Sequence, residues 1–164
     1  MKTIIRFFTI DDSLKVTVLV LLVGFMSCKK DNNTIANGSA SYSGTFVKSS
    51  TTVVSSASGT ESATFNSATM VLSYTLSWSG LSSNPSAMHF HDNGPVIAEI
   101  SGFSPNVNGS VSGTVTLTPQ QSTDLASGKI YAQIHTLNNP SGEIKATLSK
   151  NSSSSYSSGG DYGY

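Results

Sequence analysis

The sequence has little charge and almost no cysteine. Charged residues make up 11% of its 164 residues, with nine basic and nine acidic side chains and a formal net charge of zero. Soluble domains usually carry roughly 25% charged residues. Because binding of nucleic acid requires a basic patch, we expect no nucleic-acid partner. With Cys28 as the only cysteine, no disulfide can form within the chain. Ser, Thr, Asn and Gly replace the charge, which is typical of exported proteins.

The sequence also lacks a hydrophobic run long enough to cross a membrane. The longest apolar stretch, Val16 to Met26, follows Lys2, Arg6 and Lys15. As a helix it would span about 16 Å, whereas the hydrocarbon core of a bilayer is about 30 Å thick. Basic residues followed by a short apolar run predict a secretory signal peptide.

Cys28 stands where this signal would end. Ser27 precedes it and the polar segment "KKDNNT" follows it. The arrangement resembles a bacterial lipoprotein signal, although Phe25 replaces the Leu most often found three residues before the Cys. The resemblance implies a signal peptide over residues 1–27 and a lipidated Cys28. With Lys29 as the next residue, it also implies the outer membrane of a Gram-negative bacterium. The alternative is an ordinary signal peptide with an incidental Cys.

The rest of the chain divides into three segments. Residues 28–39 are polar and rich in Asn and Gly, which predicts a tether between membrane and domain. Residues 40–150 contain the apolar residues of one compact domain. Residues 151–164, "NSSSSYSSGGDYGY", have little to bury and are predicted to be disordered.

Alternation with a period of two dominates residues 40–150. It predicts half-buried strands whose apolar residues point inward. In "GEIKATL", for example, Ile144, Ala146 and Leu148 would point inward and Glu143, Lys145 and Thr147 outward. With turn signals between the strands, the pattern predicts an all-β antiparallel sandwich or small barrel of about seven or eight strands. Its core would include Leu72, Tyr74, Leu76, Trp78, Val111, Val115, Leu117, Ile130, Ala132 and Ile134.

One short helix interrupts the strands. In "TPQQSTDLASG", Thr118 can act as the N-cap, Pro119 suits the first turn and Gln121 occupies the capping-box position. Gly128 is placed to end the helix.

The three histidines are the candidate functional residues. Alternation in "MHFHD" points Met88 and Phe90 inward, so His89 and His91 point outward, and His135 in "YAQIHT" follows the same rule. If the two strands are neighbours, the three imidazoles converge on the outer face of a sheet. Imidazole suits zinc, copper, iron or nickel, and three His ligands leave a fourth position open. The alternative is that the histidines are merely polar or hold a neighbouring loop.

Four acidic residues complete the candidates. Asp92 and Glu143 lie close to the histidines in sequence and could supply a fourth ligand or accept a hydrogen bond from a ligand. Glu61 and Glu99 are expected to be surface charges rather than an acid/base pair. No Gly-rich phosphate loop and no "GxSxG" elbow occurs in the sequence.

Taken together, these motifs resemble the CHRD domain, first described in chordin and widespread in exported bacterial proteins. The likeness covers roughly Ala40 to Leu148. It is carried by "HFH" at 89–91, "GPV" at 94–96, "GTVTL" at 113–117, "YAQIHT" at 131–136 and "PSGEI" at 140–144. Lys145 and Ala146 depart from the usual Arg and Gly. The resemblance implies an immunoglobulin-like β-fold.

From these observations we expect a lipid-anchored envelope protein that acts as a binding or structural module, with zinc or copper at His89, His91 and His135. Its partners would be the membrane and an extracytoplasmic protein or glycan. The alternative is a copper- or zinc-dependent redox enzyme, since copper–zinc superoxide dismutases also use a His-X-His strand outside a β-barrel. The sequence lacks their additional His-rich zinc loop, so this alternative is an analogy only.

Overall fold

The structure is a computed structural model that describes residues 38–152. The predicted signal peptide, Cys28 and all but the last two residues of the predicted tether lie outside the described residues. So does the predicted disordered segment, apart from Asn151 and Ser152. No helix among the described residues is both long and apolar enough to cross a membrane.

The described chain folds into two antiparallel sheets and one helix, in the following order along the sequence: β1 (Ser39–Thr45), β2 (Val47–Lys48), β3 (Ser58–Asn66), β4 (Val71–Ser79), β5 (Pro85–Asp92), β6 (Val96–Glu99), β7 (Gly109–Thr116), α1 (Pro119–Ala126), β8 (Ile130–Thr136), β9 (Ile144–Thr147) and β10 (Ser149–Lys150). One sheet has the strand order β10-β1-β3-β4-β7 and the other β2-β9-β8-β5-β6. The predicted antiparallel sandwich is therefore confirmed, and the two sheets do not close into a barrel.

The core lies between the sheets and consists of the inward residues of the alternating strands. Leu72, Tyr74, Leu76 and Trp78 of β4 are all buried, as the alternation predicted. Across the core, the ring of Tyr74 meets that of Phe90 edge to face, with centroids 4.9 Å apart. Burial of such side chains stabilises the fold by roughly 1.5–3 kcal/mol each. The predicted inward residues Ile130, Ala132, Ile134, Ile144, Ala146 and Leu148 are buried as well.

The described residues contain more strands than predicted because several are very short. β2 and β10 have two residues each, and β6 has four. β1 begins at Ser39, one residue before the predicted domain boundary, and pairs along its whole length with β3. At the other end, the N–H of Asn151 donates to the carbonyl of Ser41 at 2.9 Å.

The helix forms as its capping residues predicted. The Thr118 hydroxyl accepts from the N–H of Gln121, and the Gln121 side chain accepts from the N–H of Thr118, which completes a capping box. After the helix, Gly128 adopts a φ of 70°, a left-handed conformation that favours glycine.

Two acidic residues expected to point outward are buried. Glu61 is 1% exposed and Glu143 is fully buried. Glu143 is satisfied by side-chain and backbone donors, whereas neither carboxyl oxygen of Glu61 has a hydrogen-bond partner. The prediction for Glu61 was wrong because alternation in β3 places it on the inward face with the buried Ala63 and Phe65. The prediction for Glu143 was wrong because its donors, Ser55 and Ser82, come from loops distant in sequence.

Candidate metal centre

The two strands that carry the histidines are neighbours in the centre of one sheet. β5 pairs antiparallel with β8, with His89 opposite Gln133, His91 opposite Tyr131 and Ala87 opposite His135. Because side chains alternate between faces, these six residues all lie on the outer face. The expected adjacency of the two strands is confirmed.

The three imidazoles meet over one spot. The ring centroid of His89 lies 5.0 Å from that of His135 and 5.9 Å from that of His91, and those of His91 and His135 are 6.2 Å apart. One ring nitrogen from each histidine lies within 4.8 Å of the others. In a tetrahedral zinc site with Zn–N bonds of about 2.0 Å, the nitrogens lie about 3.3 Å apart. Small rotations of the side chains would therefore bring the three nitrogens into coordination distance.

Backbone carbonyl groups fix the tautomers of two rings. Nδ1 of His91 lies 2.7 Å from the carbonyl oxygen of Gly94, and Nδ1 of His135 lies 2.9 Å from that of Pro140. A carbonyl oxygen can only accept, so each Nδ1 must carry the proton. In the neutral ring, Nε2 then has a free lone pair, and the Nε2 atoms of both residues are buried without a hydrogen-bond partner. A proton held by an acceptor on the far nitrogen is how metal-ligating histidines are usually oriented.

His89 differs from the other two histidines, because it directs Nδ1 and not Nε2 toward the cluster. Its Nδ1 is buried without a hydrogen-bond partner. Burial lowers the pKa of His89, and the neighbouring His135 and His91 lower it further, while Glu99 opposes them. The neutral ring, which is the form that binds a metal, is therefore favoured. His89 Nδ1, His91 Nε2 and His135 Nε2 are thus the donor set that the geometry offers.

An aromatic ring covers one side of the histidine cluster. Tyr131 stacks on His91 with an interplanar angle of 3° and a centroid separation of 4.9 Å. On the same outer face, Nζ of Lys145 lies 5.5 Å from the centroid of Tyr131. The stack restricts rotation of the His91 ring and keeps its Nε2 directed toward the other two histidines.

The two carboxylates expected near the histidines contact other groups. Asp92 faces Asp124 and Lys129, and burial, followed by the charge of Asp124, raises the pKa of Asp92. Burial also acts to raise the pKa of Glu143, but hydrogen bonds from Ser55, Ser82 and Thr136 outweigh it and lower the pKa. Neither carboxylate is hydrogen-bonded to an imidazole in the described structure. A role for either as a ligand stays a prediction.

Sequence reasoning did not identify the groups that orient the rings. These are the carbonyl groups of Gly94 and Pro140 and the ring of Tyr131. A signal was present for the carbonyls, because "DNGP" and "NNPSG" are turn sequences that immediately follow the histidine strands. Asn93 and Gly94 adopt positive φ of 49° and 132° in the first of these turns. The turn brings the chain back beside the His91 ring.

Comparison with known protein families agrees with this fold. The family model of the CHRD domain matches residues 38–148, which is more than half of the chain. The chain belongs to the CHRD domain family. The match covers β1 to β9 of this CHRD domain and includes all three histidines. No curated protein and no solved structure matches the chain.

Proposed function

We propose that this CHRD-domain protein is a lipid-anchored module of the cell envelope that binds zinc or copper through His89, His91 and His135. The observation that carries the metal site is the set of three buried imidazole nitrogens without hydrogen-bond partners, directed at one spot. Burying polar nitrogens without a partner is costly, and a bound cation would satisfy all three at once.

The three imidazole nitrogens favour a metal of intermediate softness, such as zinc or copper, that keeps one exchangeable ligand besides the protein. Imidazole nitrogens suit zinc and copper, whereas magnesium and calcium require oxygen ligands. Three protein ligands leave the fourth position to water or to a partner. Because His135 and His91 are already oriented by backbone carbonyls, little conformational freedom would be lost on binding.

Titration of the purified full chain with Zn²⁺ and Cu²⁺ after treatment with a chelator tests the site. We expect one ion per chain, and a double variant, His89→Ala/His91→Ala, to bind at least a hundredfold more weakly. Thr147→Ala is the matched control, because Thr147 is exposed on the outer face of the neighbouring strand β9 and contributes no nitrogen to the cluster. Equal and negligible binding by the unmodified chain and the double variant would refute the metal site.

The same variants address the structural alternative. If the histidines only hold the turns at Gly94 and Pro140, alanine substitutions would lower the melting temperature equally with and without metal. If they form a metal site, added metal would raise the melting temperature of the unmodified chain. At a free-metal concentration of 100 Kd, the free energy of unfolding would increase by about 2.7 kcal/mol. That increase would be absent in the double variant.

The open coordination position supports one alternative function, a copper- or zinc-dependent redox enzyme. Turnover of superoxide or peroxide by the copper-loaded chain, compared with free copper and with the double variant, tests it. A rate no higher than that of free copper would exclude this alternative without affecting the binding proposal.

The anchor part of the proposal rests on the sequence around Cys28 and is tested separately. Labelling of cells with a radioactive fatty acid should mark the full chain and not the Cys28→Ser variant. Envelope fractionation should then place the labelled chain in the outer membrane. An unlabelled chain would refute the lipid anchor but not the metal site. The protein would then be an exported metal-binding CHRD domain, and its partner would be an extracytoplasmic protein or glycan.

A further inference from the structure

The four sheet edges of the described sandwich differ in how they are protected. β10 and β2 are two residues long and include Lys150 and Lys48. β6 is four residues long, follows Pro95, ends at Glu99 and has a register shift against β5. Short length, charge, proline and bulges are the features by which proteins prevent edge-to-edge pairing. Three of the four edges carry such features.

β7, the fourth edge, carries none of them. It has eight residues, "GSVSGTVT", with no charge and no proline, and its register with β4 is continuous from Gly109 to Thr116. Within the described chain, β4 is the only strand that pairs with it. A long, regular and uncharged edge is a template for another strand.

The backbone groups that β7 leaves free can be assigned. The N–H of Leu117, the residue after β7, donates to the carbonyl of Met70 at 2.8 Å, in register with the β4–β7 ladder. Hydrogen-bonded pairs alternate along an antiparallel ladder, so Val115, Gly113 and Val111 also bond to β4. Ser110, Ser112, Thr114 and Thr116 then direct their N–H and C=O groups away from β4, toward the edge. Their side chains are exposed.

The sequence of β7 is chemically symmetric about Gly113. In "SVSGTVT", the residues one and three positions from Gly113 carry hydroxyl groups on both sides, and the residue two positions away is Val on both sides. Two copies of such a strand can pair antiparallel with like residues opposite each other. We propose that β7 is a homodimerisation edge, at which β7 of a second copy pairs antiparallel around a two-fold axis at Gly113.

This register satisfies the free groups of both copies. Ser112 would lie opposite Thr114 of the partner copy, and Ser110 opposite its Thr116, which are the residues whose backbone groups face the edge. Thus each of these pairs would exchange N–H and C=O bonds, and Gly113 would face itself in a non-hydrogen-bonded pair. Val111 would lie opposite Val115, which extends the inward apolar row across the interface.

The pairing would also extend the outer face. Cross-strand hydroxyl contacts already join β7 to β4, with Thr75 and Ser112 2.8 Å apart, and β4 to β3, with Thr60 and Ser77 3.0 Å apart. A second copy would continue these rows without bringing like charges together. Because a two-fold contact uses the same edge of both copies, it closes at a dimer and does not propagate into a filament.

Sedimentation equilibrium of the purified full chain in detergent tests the proposal, with a chelator present so that no metal can bridge two copies. We expect a concentration-dependent dimer. Ser112→Lys/Thr114→Lys places lysines opposite lysines across the axis and should weaken dimerisation at least tenfold. Ser62→Lys/Thr64→Lys is the matched control, with the same change on the exposed face of the interior strand β3. It should dimerise like the unmodified chain.

Amide hydrogen exchange identifies the edge involved. We expect the amides of Ser110, Ser112, Thr114 and Thr116 to exchange more slowly as the concentration rises. A chain that stays monomeric up to about 1 mM, which would make any association weaker than about 4 kcal/mol, would overturn the proposal. So would a dimer that forms without protecting these four amides, or one that the edge variant and the control weaken equally. None of these outcomes bears on metal binding, which uses the other sheet.

Discussion

The Nδ1 atom of His135 lies 2.9 Å from the carbonyl oxygen of Pro140, so the β8–β9 turn fixes the ring that the sequence places on β8. The turn itself is held by a close contact. Gly142 has a φ of 110°, and a Cβ atom at this position would overlap the side-chain amide of Gln133. The amide donates to the carbonyl of Ser141 at 3.3 Å. The position of the turn and the orientation of His135 are therefore linked.

From this link we predict that Gly142→Ala weakens zinc or copper binding by roughly tenfold, within the range seen when groups that orient metal ligands are altered. The added methyl group displaces either the turn or Gln133, and the Pro140 carbonyl moves with the turn. Gly102→Ala is the matched control, since Gly102 also has a positive φ, of 82°, but no atom lies within 4 Å of its Cβ position. Isothermal titration of both variants measures the difference. Equal affinities would show that the turn does not orient the ligand.

The buried carboxyl group of Glu61 should make the domain less stable as pH rises. Burial raises the pKa of Glu61 from 4.5 to about 8, and the N–H of Ala132 opposes this without a hydrogen bond of ordinary geometry. Between pH 4.5 and 8 the unfolded chain releases this proton and the folded chain retains it. The contribution of Glu61 to stability therefore falls by up to about 1.4 kcal/mol per pH unit in this window.

The substitution Glu61→Gln tests the assignment, because glutamine has the shape of the protonated acid and does not ionise. At pH 8 we expect the variant to be more stable than the unmodified chain by a few kcal/mol, and at pH 4.5 to differ little. Ser62→Gln, an exposed position of the same strand, changes no ionisable group and should leave the pH dependence unchanged. Urea denaturation at several pH values provides the free energies of unfolding. Parallel curves for the unmodified chain and Glu61→Gln would contradict the prediction.

Glu143, unlike Glu61, should make the domain more stable as pH rises. It accepts hydrogen bonds from Ser55, the backbone and side chain of Ser82, and Thr136, at 2.5–2.9 Å. The pKa of Glu143 is lowered despite burial, so its stabilisation is present at neutral pH and is lost as pH falls below the ordinary value for glutamate. We expect Glu143→Gln to cost about 3 kcal/mol at pH 7, because hydrogen bonds to a charged acceptor are replaced by weaker ones and one amide donor is left unpaired.

Thermal unfolding of Glu143→Gln at pH 7 and pH 4 measures this contribution. The difference from the unmodified chain should shrink at the lower pH, because the unfolded chain takes up a proton at Glu143 there and the folded chain, in which the pKa of Glu143 is lowered, resists it. Thr136→Val removes one of the donors to Glu143 and an acceptor for the N–H of Asn139, which also lies 3.2 Å from the Thr136 carbonyl, and should give a smaller loss of about 1 kcal/mol. A destabilisation by Glu143→Gln that did not depend on pH would indicate that shape, and not charge, matters at this position.

Tyr131 should act on the metal centre through its ring and not through its hydroxyl group. The ring lies parallel to that of His91 at 4.9 Å. We therefore expect Tyr131→Phe to bind metal as the unmodified chain does and Tyr131→Ala to bind several-fold more weakly, because the His91 ring regains rotational freedom. Competition with a chromophoric chelator measures both affinities. Weaker binding by Tyr131→Phe would instead assign a role to the phenol group.

Much of the sandwich follows from the sequence because its strands alternate strictly. Leu72 to Trp78 and Ile130 to Ile134 show a period of two that only a half-buried strand explains. β1 lacks this signal, since "SASYSGT" has one large apolar residue, Tyr42, and its strand is defined by pairing with β3. Alternation with Ala63 and Phe65 does place Glu61 on the inward face of β3, against the expectation for a charged residue. Glu143 could not be placed because its donors lie on segments distant in sequence.

The sequence predicted which residues form the candidate site, but not how their rings are oriented. The outward direction of His89, His91 and His135 follows from alternation, and their convergence depends on the pairing of β5 with β8. The tautomers could not be predicted, because they depend on where two turns place their carbonyl groups. Of the groups that orient the rings, only the turns themselves have a sequence signal.

β5 and β8 are both interior strands of their sheet, each paired on its two sides. Fraying at the sheet margins therefore leaves the three nitrogens in place. A chelator would reach a bound ion through the open fourth coordination position while both strands stay paired. Loss of metal and unfolding of the domain should therefore be separate events, with demetallation the faster of the two.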